Sequence, residues 1–146
     1  MLKTLALALL LLAISGRSGA QSVALSIVRL GCGSPLSPLL SPPTSQQERE
    51  QISADWVGPD ELAVDMWDDE AADSHVDPAT AKVHLDGSML TLAYSYRRVG
   101  VDRGKPIPDC AFLVKLFFTV SGLPRSRYQL RIEGGHGIVH ALAIDG

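Results

Sequence analysis

The stretch that decides the fold is residues 81–97, which read AKVHLDGSMLTLAYSYR. Asp86-Gly87 suits the positive φ angles of a tight hairpin turn, and alternating sequence flanks this dipeptide on both sides. In the second arm one face carries the larger side chains, which are Leu90, Leu92, Tyr94 and Tyr96. The sequence therefore predicts a β-hairpin whose second strand turns its leucines and tyrosines toward the core.

Period-two alternation predicts strands on both sides of this hairpin. Residues 22–30 (SVALSIVRL) alternate, with one face more apolar than the other. Residues 110–120 (CAFLVKLFFTV) are apolar on both faces, as a central strand covered on both sides requires. Residues 128–133 and 138–144 predict two further strands, joined by a corner at Gly134-Gly135.

Two interpretations compete for residues 48–67. Ser45 and Glu48 have the Ser-x-x-Glu spacing of a helix capping box, which would begin a short helix at Gln46. Such a helix would have no apolar stripe to bury. We therefore favour a hairpin, with apolar positions at 52, 54 and 56, a turn at 58–60, and a return through 62, 64 and 66.

Seven or eight strands and almost no helix predict an all-β fold, a single-domain antiparallel β-sandwich. The predicted core residues come from the apolar faces of the strands. They are Val64, Leu90, Leu92, Phe112, Val114, Leu116, Phe118, Tyr128, Leu130 and Ile132.

A short segment near the C-terminus resembles a corner of known folds. Gly122-Leu123-Pro124, followed by YQLRI at 128–132, resembles the corner between the last strands of immunoglobulin-like and fibronectin type III domains. The resemblance covers about a dozen residues and implies an immunoglobulin-like sandwich in which the Tyr128 hydroxyl bonds to nearby backbone. Leu130 stands where an antibody domain has a cysteine, so the resemblance concerns the fold alone.

The N-terminus has the pattern of a cleaved signal peptide over residues 1–20. Lys3 precedes an unbroken apolar run at 5–14, and small residues at 18–20 suit signal peptidase. The run is too short to span a bilayer, so we predict no transmembrane segment in the mature chain, residues 21–146. Secretion or export to a periplasm follows from this interpretation.

The chain has two cysteines, Cys32 and Cys110. In an exported chain they predict one disulfide, because the compartment beyond the membrane is usually oxidising. Residues 33–47 are rich in proline and serine and predict a surface loop that cannot continue a ladder.

Charge is unevenly distributed along the chain. Residues 48–77 hold eleven acidic residues and one basic residue, whereas residues 78–146 hold nine basic and five acidic residues. This asymmetry can steer a charged partner. It can equally be internal, with the acidic segment lying beside a basic strand such as 94–98.

Candidate site residues are few. A binding face could be formed by aromatic rings beside guanidinium groups, namely Tyr94, Tyr96, Arg97, Arg98 and Arg103. The alternative is that both tyrosines pack inward and the arginines only mark the end of the strand. Asp68, Asp69 and Asp73 are weak candidates for calcium ligands, since their spacing follows no EF-hand rule.

No catalytic signature is present in the sequence. It holds neither a Gly-x-Ser-x-Gly elbow, nor a phosphate-binding glycine loop, nor a His-Glu-x-x-His helix. His136 and His140 would be too far apart on a strand to share a zinc ion. We therefore predict no catalytic residues, no cofactor and no resident metal.

These patterns favour an exported, non-enzymatic binding module. Its predicted partner is another exported protein or a cell-surface component, and not nucleic acid, because the net charge is −3. Two alternatives stay open: a secreted metal-dependent hydrolase that uses the acidic segment with a nearby histidine, and an inhibitor of a secreted hydrolase that acts through the proline-rich loop.

Overall fold

The computed structural model describes residues 20–30, 42–100, 104, 112–135 and 137–146, with the side chains of residues 137–140 outside the description. This part of the chain holds eight strands and one short helix. The elements are β1 (Ser22–Leu30), α1 (Gln46–Arg49), β2 (Ile52–Trp56), β3 (Glu61–Glu70), β4 (Ser74–Asp86), β5 (Met89–Arg98), β6 (Phe112–Ser121), β7 (Tyr128–Gly134) and β8 (Gly137–Ile144). The predicted signal peptide and both cysteines lie outside the described residues.

The strands form two four-stranded sheets that pack face to face. The first sheet has the order β1-β6-β3-β2, and the second has the order β4-β5-β7-β8. β1 lies beside β4 and β2 lies beside β8, so the two sheets are stacked with their strand orders aligned. This arrangement confirms the predicted all-β sandwich, since each sheet buries one face against the other.

One strand pair differs from the prediction of a wholly antiparallel fold. β5 and β7 are parallel neighbours, with Leu90 opposite Leu130 and Leu92 opposite Ile132. The reason is the intervening strand: β6 belongs to the other sheet, so the chain leaves and re-enters the second sheet, and β7 runs in the same direction as β5. The other strand pairs in the described part of the chain are antiparallel.

The hairpin predicted between residues 52 and 66 is confirmed. Ile52 pairs with Met66 and Trp56 pairs with Leu62. The competing capping box also forms, because the two features use different residues. The Ser45 side chain accepts the Glu48 N–H at 3.2 Å and caps a single helical turn that ends before β2 begins.

The β4–β5 hairpin is confirmed, but its turn lies one residue later than predicted. Asp86 and Met89 form the last pair of the ladder, so the two loop residues are Gly87 and Ser88. Gly87 has φ of 58°, and no non-glycine residue in the described part of the chain has a positive φ. A positive φ at the first loop position alone is the pattern of a type II′ turn.

Most of the acidic segment, residues 48–77, lies in strands. β3 continues through Glu70, and β4 begins at Ser74, so that most of this segment is paired strand. β4 also contains a bulge between Asp77 and Lys82. Pro78 lies in this bulge, and Thr80 Oγ1 replaces the missing ladder bond by accepting the Ser95 N–H at 2.9 Å.

The core lies between the sheets, and nine of the ten predicted core residues are buried in it. Ten further hydrophobic residues among those described are buried as well and lie outside the predicted set. Of the predicted residues, Phe112 alone is half-buried, at the first position of β6, where its ring centroid lies 6.0 Å from that of His75. The others are at most 5% exposed. β6 is internal to its sheet as predicted, with a buried inner face and a half-buried outer face.

The corner before β7 contains the hydrogen bond that the resemblance implies. The Tyr128 hydroxyl donates to the backbone carbonyl of Pro124, four residues upstream. The Tyr128 side chain is 5% exposed, and burial raises the pKa of its hydroxyl. Beyond this bond, the immunoglobulin-like resemblance stays a prediction.

Candidate functional site

The inner face of the sandwich becomes polar at one end. Even-numbered residues of β3 face inward, so the buried series Leu62, Val64, Met66 continues into two carboxylates. We call the polar group at this end the inner polar cluster. It consists of Arg29, Asp68, Glu70, Tyr94 and Tyr96.

Glu70 is the buried anion of the inner polar cluster. Its side chain is fully buried, and its Oε2 lies 2.8 Å from Arg29 Nε while its Oε1 lies 3.1 Å from Arg29 Nη2. The Val76 N–H donates to Oε1 at 2.7 Å. This fork geometry neutralises the carboxylate and satisfies both oxygens, so one side chain links β1, β3 and β4.

Asp68 accepts hydrogen bonds from two tyrosines. The Tyr94 hydroxyl donates to Asp68 Oδ2 at 2.6 Å, and the Tyr96 hydroxyl donates to the same oxygen. The Asp69 N–H donates to Oδ1 at 2.9 Å. Both carboxylate oxygens of Asp68 are therefore engaged within the protein.

The environment keeps both tyrosines protonated. Burial, followed by the hydrogen bond to Asp68 and its negative charge, raises the pKa of Tyr94 and of Tyr96 far above the ordinary value. A hydroxyl with a raised pKa is a poor general base or nucleophile near neutral pH. Neither tyrosine of the inner polar cluster is therefore activated as a base or nucleophile.

The tyrosines of the predicted binding face point inward, with Tyr94 buried and Tyr96 half-buried. Tyr94 is 4% exposed, and Tyr96 packs so closely on Gly135 that a Cβ there would collide with its ring. Arg97 and Arg98 are exposed, whereas Arg103 lies outside the described residues. Strand alternation directs both tyrosines inward, as the alternative interpretation expected, so that the exposed part of the predicted face among the described residues is mainly Arg97 and Arg98.

The three weak candidates for calcium ligands do not point toward a common site. Asp68 points inward to the tyrosines, Asp69 is exposed with its Oδ1 3.9 Å from Arg49 Nη1, and Asp73 is exposed in the turn after β3. Within the described ranges no three carboxylate, imidazole or thiol groups are placed to hold a metal ion. The two histidines considered for a shared zinc site lie outside the described part of the chain: His136 entirely, and His140 in its side chain.

Part of the charge asymmetry is neutralised internally. Asp65 in the acidic segment forms an ion pair with Lys115 on the neighbouring strand β6, and Glu70 pairs with Arg29. At the end of β5 the arrangement differs. Arg97 lies opposite His75 and Arg98 lies opposite Ser74, and among the described residues neither arginine has a carboxylate within 4.0 Å.

A shallow depression lies on the outer face of the first sheet. It has a volume of about 370 Å³ and is lined mainly by polar side chains and prolines around Trp67 and Lys115. Trp67 is only 9% exposed, and Lys115 Nζ lies 5.0 Å from the ring centroid. The lysine covers the indole, so this depression does not offer an open aromatic platform.

Sequence reasoning missed the roles of Arg29 and Glu70. A signal was present in β3, because the alternation that buries Val64 and Met66 also places Asp68 and Glu70 on the inner face. An acid at an inward position of an alternating strand needs a buried partner. The identity of that partner depends on which strand lies next to β3 and which lies across the core.

Comparison with known proteins provides no template for this site: no protein-family model, no curated protein and no solved structure matches the chain. Among the described residues, no helix combines the length and apolar character needed to cross a membrane.

Proposed function

We propose that the protein is an exported, non-enzymatic binding module that recognises an acidic surface of another exported protein or of a cell-surface component. The observation that carries this proposal is the exposed pair Arg97 and Arg98, which has no carboxylate partner among the described residues. The carboxylates of Asp68 and Glu70 are instead engaged with Tyr94 and Arg29 in the inner polar cluster.

The end of β5 presents two exposed cations. Consecutive residues of a strand point to opposite sides, so Arg97 and Arg98 offer guanidinium groups on both sides of the strand end. The Val99 N–H donates to the Asp73 carbonyl at 2.9 Å, which ties the backbone at this end to the turn before β4. A guanidinium group can pair with a carboxylate or sulfate through two hydrogen bonds.

Export is part of the proposal, and it rests on the sequence pattern of residues 1–20. The disulfide between Cys32 and Cys110 is part of the same proposal, because an exported chain meets an oxidising compartment.

Affinity capture with charge-reversal variants tests the proposal. The exported chain and its Arg97→Glu/Arg98→Glu variant are immobilised, exposed to the exported fraction of the source, and analysed by quantitative mass spectrometry. Lys82→Glu/Arg127→Glu is the matched control, because it reverses two exposed basic residues elsewhere. We expect one species to be enriched by the unmodified chain and by the control, and to be lost with the first variant.

The captured species is then purified and titrated at increasing salt concentration. Weaker binding with added salt is expected, because exposed charges are screened. Enrichment that survives the Arg97→Glu/Arg98→Glu change, or that disappears equally in both variants, would contradict the proposed surface.

A further inference from the structure

The exposed arginines at the end of β5 have a histidine as a neighbour on β4. His75 lies directly opposite Arg97 in the β4–β5 ladder, and Ser74 lies opposite Arg98. Directly opposite residues of an antiparallel pair extend from the same face of the sheet, with Cβ atoms about 4.5–5.5 Å apart. The imidazole of His75 and the guanidinium of Arg97 therefore share one face at this end of the sandwich.

His75 is half-buried, and its described neighbours leave its ring nitrogens without a carboxylate. The ring packs against Phe112 of β6, with ring centroids 6.0 Å apart and an interplanar angle of 75°. Asp77 follows on the same face of β4, but its Oδ1 accepts the Ala79 N–H at 3.1 Å within the bulge. Among the described residues, no carboxylate lies within 4.0 Å of His75.

The other charged groups around the start of β4 do not neutralise this face. β1 and β3 contribute Arg29 and Glu70, which form an ion pair with each other. The turn before β4 contributes Asp73, which is exposed and forms no ion pair with a described residue. Across the ladder, the charged side chain that faces His75 is therefore Arg97.

We propose that His75 is a third contact residue of the surface formed by Arg97 and Arg98, and that its protonated ring and the Arg97 guanidinium together bind one carboxylate of the acidic partner. This inference rests on the proposed function, because both concern the same partner. Histidine is the side chain that gains a proton between about pH 8 and pH 5. The surface therefore carries two positive charges in neutral surroundings and three in mildly acidic ones.

Proton uptake by His75 and binding of an acidic group favour each other. In the free protein, two cations at directly opposite positions of a ladder repel each other. A carboxylate placed between them offsets this repulsion and accepts a charge-assisted hydrogen bond from each side chain. Because the two events are thermodynamically linked, the affinity of this surface for an acidic group rises as the pH falls from about 7.5 to about 5.5.

Binding of the exported chain to immobilised poly-L-aspartate, measured at about pH 7.5 and about pH 5.5 at one ionic strength, tests the proposal. Aspartate side chains stay ionised over this range, so the probe keeps its charge. We expect the unmodified chain to bind about 3-fold or more tightly at the lower pH. His75→Gln should remove most of this difference, and His75→Lys should bind tightly at both pH values because its charge is permanent.

His84→Gln is the matched control, since His84 is an exposed histidine on the same strand. It should keep the full pH dependence. A pH dependence that persists in His75→Gln, or that is lost equally in His84→Gln, would overturn this inference alone, provided that Arg97→Glu/Arg98→Glu abolishes binding. Binding that survives the change of both arginines would contradict the proposed function and this inference together.

Discussion

Glu70 shows how one buried carboxylate joins three strands. It is accepted inside the sandwich because Arg29 and the Val76 N–H satisfy both of its oxygens. Removing the charge from one member of such a pair leaves the other without compensation, although Arg29 is 39% exposed and recovers part of its hydration.

We therefore expect Glu70→Gln to lower the free energy of unfolding by about 2 kcal/mol, measured by urea denaturation. Glu61→Gln is the matched control on the same strand, because Glu61 makes only a 3.4 Å contact with Ser121 Oγ. It should change the free energy of unfolding by less than about 0.5 kcal/mol. Equal effects of the two substitutions would show that the Arg29–Glu70 pair does not stabilise the fold.

The two inner tyrosines make the fold sensitive to alkaline pH. Burial and Asp68 raise the pKa of Tyr94 and of Tyr96 above the ordinary value of 10.0, so the folded state holds these protons more tightly than the unfolded state. The stability that they contribute is complete below about pH 10 and is lost as the pH rises above it toward the folded-state pKa.

Urea denaturation at several pH values between about 8 and about 11 measures this loss. The free energy of unfolding should fall above about pH 10 with a slope that approaches 1.4 kcal/mol per pH unit from Tyr94, and with a smaller contribution from the partly exposed Tyr96. The slope should be markedly reduced in Tyr94→Phe/Tyr96→Phe. An unchanged slope would assign the alkaline transition to other groups.

At the scale of single elements, the β4–β5 hairpin depends on the backbone of one glycine. Gly87 has φ of 58°, and a Cβ built on it would meet no atom within 4 Å. The cost of a side chain at this position is therefore purely conformational.

Gly87→Ala is expected to lower the free energy of unfolding by about 1 kcal/mol or more. Gly100→Ala is the matched control, since Gly100 has the same open surroundings without a positive φ. The control should be neutral or slightly stabilising, because alanine restricts the unfolded chain. Urea denaturation of the two variants under one condition makes the comparison, and a neutral Gly87→Ala would argue against the turn described above.

At the same scale, local pattern predicted most strands and missed the bulge within β4. The strand at Ser22–Leu30 and the hairpin through Ile52 and Met66 follow from alternation alone. Alternation failed between Asp77 and Lys82, where a bulge inserts extra residues opposite β5. The bulge is held by a side chain, Thr80, whose partner lies fifteen residues away in sequence.

At the scale of the whole molecule, the pairing of the strands decides what the charged residues do. Asp65 and Lys115 become an ion pair only because β3 and β6 are neighbours. Arg97 and Arg98 are left without described carboxylate partners because β4 begins with Ser74 and His75 at that position. The same arrangement makes β1 an edge strand of the first sheet among the described residues.

The sequence by itself determined the all-β class, about half of the buried core and the inward direction of Tyr94 and Tyr96. These properties depend on the period of two along a strand, which is local and visible in a single chain. Tertiary structure alone decided that Glu70 meets Arg29, that Asp68 receives two tyrosines, and that β5 and β7 run parallel. Each of these contacts joins strands distant in sequence, and strand order and register are set by packing energies summed over both sheets.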